Sequence, residues 1–402
     1  MKYEDRVILK PNNNNKKIKL RNSKIKNQKK LLSILLTIII LMNIGIIRFL
    51  IYFSNNNKSL LKFKNEISSK ISILEEILKN NKININLNKS KEILNNSNSL
   101  NNIIFQEFDE KINEKLIQEQ KYFCKNENFN LNQEFEDKIK LEDVIFKNNN
   151  YNMYIYKKGD IVSDSISHSK KWEYYETNNI LKALNYYSNK KGIKNEDIYI
   201  LDIGANIGWY SFTFGKYGFK IISFESSELN NYILKKNYCL NNDVNLTIIN
   251  KGLYTEDKIC DYYKSIDNIG NGFVFCDKNI ELNNLEKIGI ISLTKLGKYI
   301  KFFSDKNLAF IKIDIEGSEG KAFEGGIELI TKYHVPFIFL EYTPKALKLH
   351  DTDPLEFLKL FQNNGYKFFF NSFFDKNVIP LVKIVEKKKI NLYIAHSNIL
   401  EE

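Results

Sequence analysis

Apolar residues fall into two regimes along this chain. From Leu31 to Ile47 they run as LLSILLTIIILMNIGII without a charge, and after Arg48 they resume as FLIYF to Phe53. At 1.5 Å rise per residue, such a run reaches across a hydrocarbon core of about 30 Å. A transmembrane helix is therefore expected over 31–53, with Arg48 able to snorkel and Phe49, Tyr52 and Phe53 suited to the interface. A buried helix of a globular domain is the competing reading. Further on, the pattern changes to short β-branched and aromatic runs, which predict strands at 198–203, 220–225, 245–250, 310–314, 337–342, 367–370 and 391–395. Helical spacing lies between most of them, including 319–333 and 355–364. This alternation predicts an α/β fold, a mainly parallel sheet with helices on both faces.

Between the two regimes, residues 54–150 are rich in Asn, Lys, Glu and Ile. Helical spacing in Ile67, Ile71, Leu74, Ile77 and Leu78, and again in Ile112, Leu116 and Ile117, predicts a stalk of one or two helices that could self-associate. The heptad does not persist through Asn80–Asn102, so no sustained coiled coil is expected. Sequons at Asn57, Asn88, Asn95 and Asn245 arise easily in so Asn-rich a chain.

Charge then orients the span. The 402 residues carry a net +12, and among residues 1–30 eleven Lys and Arg stand against Glu4 and Asp5. A basic leader resists translocation, which predicts a single-span type II protein: cytoplasmic tail 1–30, span 31–53, stalk 54–150, and a luminal domain 151–402 with its core at about 198–370. A cleaved signal peptide fits poorly, because the leader is long and no small-x-small site follows the apolar run. With three quarters of the positive excess in the leader, the basic composition gives no support for binding nucleic acid.

The chemistry begins at Ile198. The run IYILDI ends in Asp202 and leads at once into Gly204-Ala205-Asn206-Ile207-Gly208 and a helical pattern. A strand, a glycine turn and a helix in this order let backbone approach a ligand and aim helix N–H groups at it. Glu225, at the end of the next strand, is placed to accept hydrogen bonds from ribose hydroxyls. A pyrophosphate would need GxGxxG, whereas here Asn206 stands at the second glycine position. The form Asp-x-Gly-x-x-x-Gly suits a ligand with an ammonium and no phosphate, which favours S-adenosylmethionine over a dinucleotide.

Four segments carry a wider resemblance: LDIGANIGWYSF at 201–212, ISFESS at 222–227, IKIDIEGSEGKAFEGG at 311–326 and FLEYTP at 339–344. Together with Trp172-Glu173 and Asn364-Gly365-Tyr366 they resemble the FkbM family of S-adenosylmethionine-dependent methyltransferases, over roughly 154–370. The resemblance implies a Rossmann-like class I methyltransferase fold and O-methylation, with hydroxyls of sugars or secondary metabolites as usual acceptors. It leaves the acceptor of this chain unnamed.

Acids collect at the carboxyl ends of the expected strands, where ligands bind in such sheets. Asp202, Gly204, Asn206 and Gly208 are expected along the methionine half of the cofactor, Glu225 at the ribose, and Ser226 with Ser227 at the adenine edge. Asn250 and Lys251 are weaker candidates. Asp314 and Glu316, then Glu341, are the candidates for orienting an acceptor hydroxyl and taking its proton. Any one such acid can instead be a helix N-cap or a loop hydrogen-bond acceptor, but five at one edge point to a site. A conformational role is expected for Gly317 and Gly325-Gly326.

No metal is expected, since Cys124, Cys239, Cys260 and Cys276 show no CxxC and no histidine at zinc spacing. A Cys260–Cys276 bridge and buried free thiols are equal readings. His168, just before Trp172-Glu173, belongs either to a lid or to the surface; His334 reads as a helix-end residue, and His350 and His396 carry no motif. The layout as a whole predicts an endomembrane enzyme of the Golgi or endoplasmic reticulum, acting on a glycan or small-molecule hydroxyl. Two other functions stay open: a luminal glycosyltransferase using Asp351-Thr352-Asp353, and an inactive adaptor that retains the fold.

Overall fold

The computed structural model describes residues 108–125, 133–265, 268–276 and 285–400. The expected tail, span and most of the stalk lie outside them, and no helix among the described residues is long and apolar enough to cross a membrane.

Seven strands form the main sheet: β3 (Ile198–Ile203), β4 (Lys220–Phe224), β5 (Leu246–Ile249), β10 (Asn307–Ile313), β11 (Phe337–Tyr342), β12 (Tyr366–Phe369) and β13 (Ile390–His396). Their order is β12-β13-β11-β10-β3-β4-β5, with β13 antiparallel to both neighbours and the remaining pairs parallel. The chain moves outward from β3 through β4 to β5, then returns to lay β10 on the other side of β3. Between β3 and β10 lies the switch point of a Rossmann-like sheet, the place where such folds open a crevice at the carboxyl ends of their strands.

Successive side chains alternate between faces, so each strand feeds two cores. Ile198, Ile200, Phe310, Phe337 and Phe339 pack into one layer, and Leu201, Ile203, Ile311, Ile313, Ile338 and Leu340 into the other. The first parity ends in charge. Asp202 stands opposite Lys312, and Glu341 opposite Asn391. An aromatic core thus turns into a polar rim at the switch point.

Short helices complete the layers. In α2 (Ile161–Ser169) Asp160 caps the first turn by accepting from Ser163 N at 2.8 Å, and α3 (Tyr174–Lys191) stops at Gly192, whose φ of 63° suits glycine. The glycine loop leads into α4 (Trp209–Gly215), and α5 (Glu228–Leu240) follows β4 with Ser227 as its cap. The single helix expected over 319–333 is two, α6 (Glu319–Glu324) and α7 (Glu328–Thr331), interrupted at Gly325-Gly326. Gly325 has no room for a side chain there, since a Cβ would fall 2.1 Å from Tyr254 O.

Two parts depart from the expected organisation. The stretch 108–150, assigned to the stalk, belongs to the folded domain: α1 (Glu110–Lys125) lies on it, and the hairpin of β1 (Ile139–Phe146) and β2 (Asn149–Tyr156) buries Val144, Phe146, Met153 and Ile155 in its core. The helical period at Ile112 and Leu116 is real, but these two side chains pack against the core on the other face of the sheet, with Leu201 and Ile203. The expected boundary at 150 therefore moves to residue 108, the first of the described residues. A second sheet, ordered β6-β9-β7-β8, is formed by β6 (Gly252–Tyr254), β7 (Lys258–Ser265), β8 (Gly272–Phe275) and β9 (Leu285–Lys295). All four cysteines are paired, Cys260 with Cys276 in this sheet and Cys124 of α1 with Cys239 of α5.

Candidate functional site

At the switch point lies a cleft of ≈ 1160 Å³, counting its open mouth. Its floor is the loop after β3. Gly204 has φ +76°, and a Cβ there would stand 1.9 Å from Asp314 O, so the loops after β3 and β10 touch backbone to backbone. Glu225 grips the same loop: Oε2 accepts from Asn206 N and Oε1 from Ser227 N, each at 2.8 Å. Burial pushes its carboxyl up to about 7, against the pull of those two amides.

Seven of the nine expected site residues line the cleft: Gly204, Asn206, Glu225, Ser226, Asp314, Glu316 and Glu341. Asp202 and Gly208 lie behind its wall. Asp202 is 1% exposed and accepts from Ser211 Oγ at 2.5 Å; Gly208 backs onto Leu234 and Phe212. Both are needed by the packing beneath the loop, a role that the spacing Asp-x-Gly-x-x-x-Gly does not separate from contact. Ser227 is spent on capping α5, and Asn250 accepts from Asn231 Nδ2 at 2.8 Å, away from the cleft. Lys251 is also off the cleft, and burial lowers its ammonium below the ordinary value.

The opposite wall is acidic. Asp314, Glu316 and Glu341 offer oxygens within 4.8 Å of one another, the one group of metal-ligand geometry among the described residues. Two lysines answer their charge: Lys389 Nζ is 2.7 Å from Glu341 Oε2, and Lys312 Nζ is 3.7 Å from Asp314 Oδ2. Burial, with the neighbouring acids, pushes Glu316 up to about 8 and Glu341 up to about 7.

Several cleft residues were not singled out from the sequence. Lys312 is buried and donates to Gly204 O at 2.8 Å. Burial works against its charge, but Asp314, Asp202, Glu173 and Glu341 outweigh it and hold the ammonium above its ordinary value. Its signal was legible: a lysine amid the apolar run Phe310–Ile313 must find partners when the strand is buried. Glu173, at the start of α3 with φ 37°, accepts from Tyr210 Oη at 2.5 Å and from Asn391 Nδ2 at 3.3 Å. Over the cleft lies the loop before β8, with Asn268, Gly270 and Asn271 on the lining and Asn271 Nδ2 bonded to Glu316.

The stretch 161–173 also borders the cleft, through Ile161, Val162, Trp172 and Glu173, but His168 is exposed and bonds Asp164 O within its own helix. His350 stacks on Phe275, and His334 lies against His396 with the two rings tilted by 33°. Asp353 spends its carboxylate on the first turn of α8 (Pro354–Gln362), accepting from Leu355 N and Glu356 N at 2.9 Å.

The residues present fit the cofactor expected here. Asp202 Oδ1 and Asn206 Oδ1 are buried acceptors without a partner at the glycine loop, and the cleft beside them is lined with carboxylates suited to a cationic ligand.

No curated protein matches the chain. Solved structures resemble it weakly. Monomeric WbdD is 11% identical with a TM-score of 0.35, over 58% of this chain and 43% of that one. The 16S rRNA N2 G1207 methyltransferase RsmC of T. Thermophilus, solved with AdoMet and guanosine, is 10% identical with a TM-score of 0.32, over 64% and 50%. Magnesium protoporphyrin IX methyltransferase ChlM of Synechocystis PCC 6803, solved with SAH, is 9% identical with a TM-score of 0.30, over 59% and 87%. The chain spans less than half the length of the first of these. The family model of the methyltransferase FkbM domain matches residues 202–368, from the acid in β3 into β12, which bears out the resemblance to that methyltransferase family over this span.

Proposed function

We propose that the protein is an S-adenosylmethionine-dependent O-methyltransferase of a glycan or similar hydroxyl acceptor, held by one type II span with its catalytic domain in the lumen of the endomembrane system. The observation that carries the catalytic reading is the meeting, in one switch-point cleft, of the Gly204–Asn206 loop and Glu225 with the trio Asp314, Glu316 and Glu341. The cofactor supplies an electrophilic methyl group on a sulfonium. Asn206 and Glu225 hold its ribose and methionine parts, with Ser226 along the adenine edge and Asp202 and Gly208 fixing the loop from behind. Asp314 and Glu316 orient the acceptor hydroxyl, and Glu341, near neutrality, is suited to receive its proton. No metal is invoked, because Lys312 and Lys389 already answer the charge of the trio.

The luminal assignment draws on the basic leader and apolar run of the sequence, and on two disulfides that use every cysteine, a pattern suited to an oxidising compartment. Self-association is assigned to the part of the stalk before residue 108. The glycosyltransferase reading loses its acid pair, because Asp353 is a helix cap. The adaptor reading is disfavoured by the intact acids and glycine loop.

Binding of radiolabelled S-adenosylmethionine to the full chain in detergent tests the cofactor assignment; uptake of a nucleotide sugar instead sinks it. Tags at residues 1 and 402 are expected to show opposite protease protection in sealed microsomes. Loss of methyl groups from cellular glycans on gene deletion, read by mass spectrometry, identifies the acceptor.

A further inference from the structure

Lys312 poses a question that the transfer chemistry alone does not answer. A cleft built for a cationic cofactor holds a buried ammonium on its own wall. That ammonium is fastened to the Gly204 carbonyl at 2.8 Å, faces Asp314 at 3.7 Å and lies 5.7 Å from the centre of the Tyr210 ring. It is not a chance surface lysine. Its strand partner is Asp202, and the surrounding carboxylates keep it charged. Charges enclosed together act on one another far more strongly than they would in water.

Resting on the cofactor assignment above, we infer that Lys312 sets the charge preference of the site: its enclosed ammonium opposes the sulfonium of S-adenosylmethionine and favours the uncharged thioether left after transfer. In that transfer the sulfur–methyl bond breaks with its electron pair on sulfur, the oxygen–methyl bond forms, and the hydroxyl proton passes to a carboxylate of the trio. One positive and one negative charge vanish together. At the cofactor Lys312 loses a repulsive neighbour in this step, so its field favours the bound thioether over the bound sulfonium. The bond to Gly204 keeps this charge at a fixed place on the cofactor loop.

The test compares the two ligand forms by calorimetry with the full chain in detergent, using S-adenosylmethionine and S-adenosylhomocysteine. Lys312→Met is expected to raise the ratio of S-adenosylmethionine to S-adenosylhomocysteine affinity at least fivefold, and Lys312→Arg, which keeps the charge, to hold it within twofold of the native value. A change of equal size for both ligands marks Lys312 as a structural support only and overturns the inference, as does an unchanged ratio. Should Lys312→Met fail to fold, Lys312→Gln, which removes the charge and keeps a donor for Gly204 O, is expected to raise the ratio at least threefold; a ratio that stays or falls overturns the inference equally. A native chain that binds neither ligand refutes the cofactor assignment, whereas native binding with an invariant ratio refutes only the role given to Lys312.

Discussion

Cys124 is bonded to Cys239 across 115 residues, which staples α1 to α5 at the β5 side of the sheet. One turn before Cys124, on the same helix face, Gln120 clasps the edge strand: Nε2 donates to Leu246 O at 2.9 Å and Oε1 accepts from Ile248 N at 2.7 Å. The side chain thereby satisfies backbone groups that an open edge would offer to another chain. Replacing both cysteines by serine is expected to cost about 2–4 kcal/mol. Gln120→Ala, which strands two buried backbone groups, is expected to cost about 1–3 kcal/mol. Urea unfolding under non-reducing conditions measures both, and a loss below 0.5 kcal/mol for either would show that α1 is not integral to the domain.

Gly204→Ala is expected to damage the site far beyond the ordinary cost of a side chain at positive φ. Its Cβ would meet Asp314 O at 1.9 Å, forcing apart the two loops proposed to carry cofactor and acceptor groups. S-adenosylhomocysteine affinity is expected to fall at least tenfold. Gly192→Ala is the control, because its φ of +63° is similar and nothing lies within 4 Å of the new methyl. It should cost about 1 kcal/mol of stability and leave ligand binding unchanged. Similar binding losses in the two variants would dismiss the close approach at Gly204 as a determinant of the site.

What the sequence disclosed about this fold follows from local physics. β3 and β11 coincide with their expected ranges, because a buried parallel strand must be a short apolar run bounded by turn residues. The acids near the ends of those strands, Asp202 and Glu341, could be read for the same reason: charge at the end of an apolar run marks where the sheet meets its polar rim. The second sheet escaped notice. β7, KICDYYKS, and β9, LEKIGIISLTK, mix exposed and buried positions, and nothing local announces that they pair with each other. Glu173 and Lys312 were missed as site residues because their role depends on Tyr210, Asn391 and Gly204, partners distant in sequence.

The buried acids set the pH dependence of the ligand-free protein. Burial raises Glu225, Glu319 and Glu341 from 4.5 to about 7 and Glu316 from 4.5 to about 8. The folded chain therefore keeps protons that the unfolded chain releases. Their contribution to stability is complete below about 4.5 and is lost as pH rises through 7–8. Glu142 works the other way: hydrogen bonds from Lys170 and Lys140 hold it down at about 2, so its contribution is present above 4.5 and disappears in stronger acid. The midpoint of thermal unfolding is expected to be highest near pH 5 and to fall toward pH 8. Glu316→Gln, which has no proton to lose, should flatten the upper part of that fall. A midpoint that rises from pH 5 to 8 in the native chain would contradict the burial of these carboxyls.

The loop over the cleft supplies the last prediction. Ile269 N donates to Gly159 O at 2.8 Å, Asn230 Nδ2 donates to Gly270 O at 3.0 Å, and Asn271 reaches Glu316. Cys276, at the far end of the loop and β8, is anchored to Cys260. At Gly270 this cover sits tightly, since a Cβ would stand 2.1 Å from Asp160 Oδ1, and Asp160 is itself fixed by capping α2. Gly270→Ala must lift the loop away from Asp160, while its contact with the glycine loop beneath, 3.3 Å to Asn206 Nδ2, is far milder. Dissociation of S-adenosylhomocysteine, followed by stopped-flow fluorescence, is expected to quicken about tenfold, because a cover that slows escape acts on the off-rate more than on the on-rate. Reducing the Cys260–Cys276 bond should move the rate in the same direction by freeing the other end of the cover. An unchanged off-rate in Gly270→Ala, with the variant folded, would show that the ligand leaves by a route this loop does not guard.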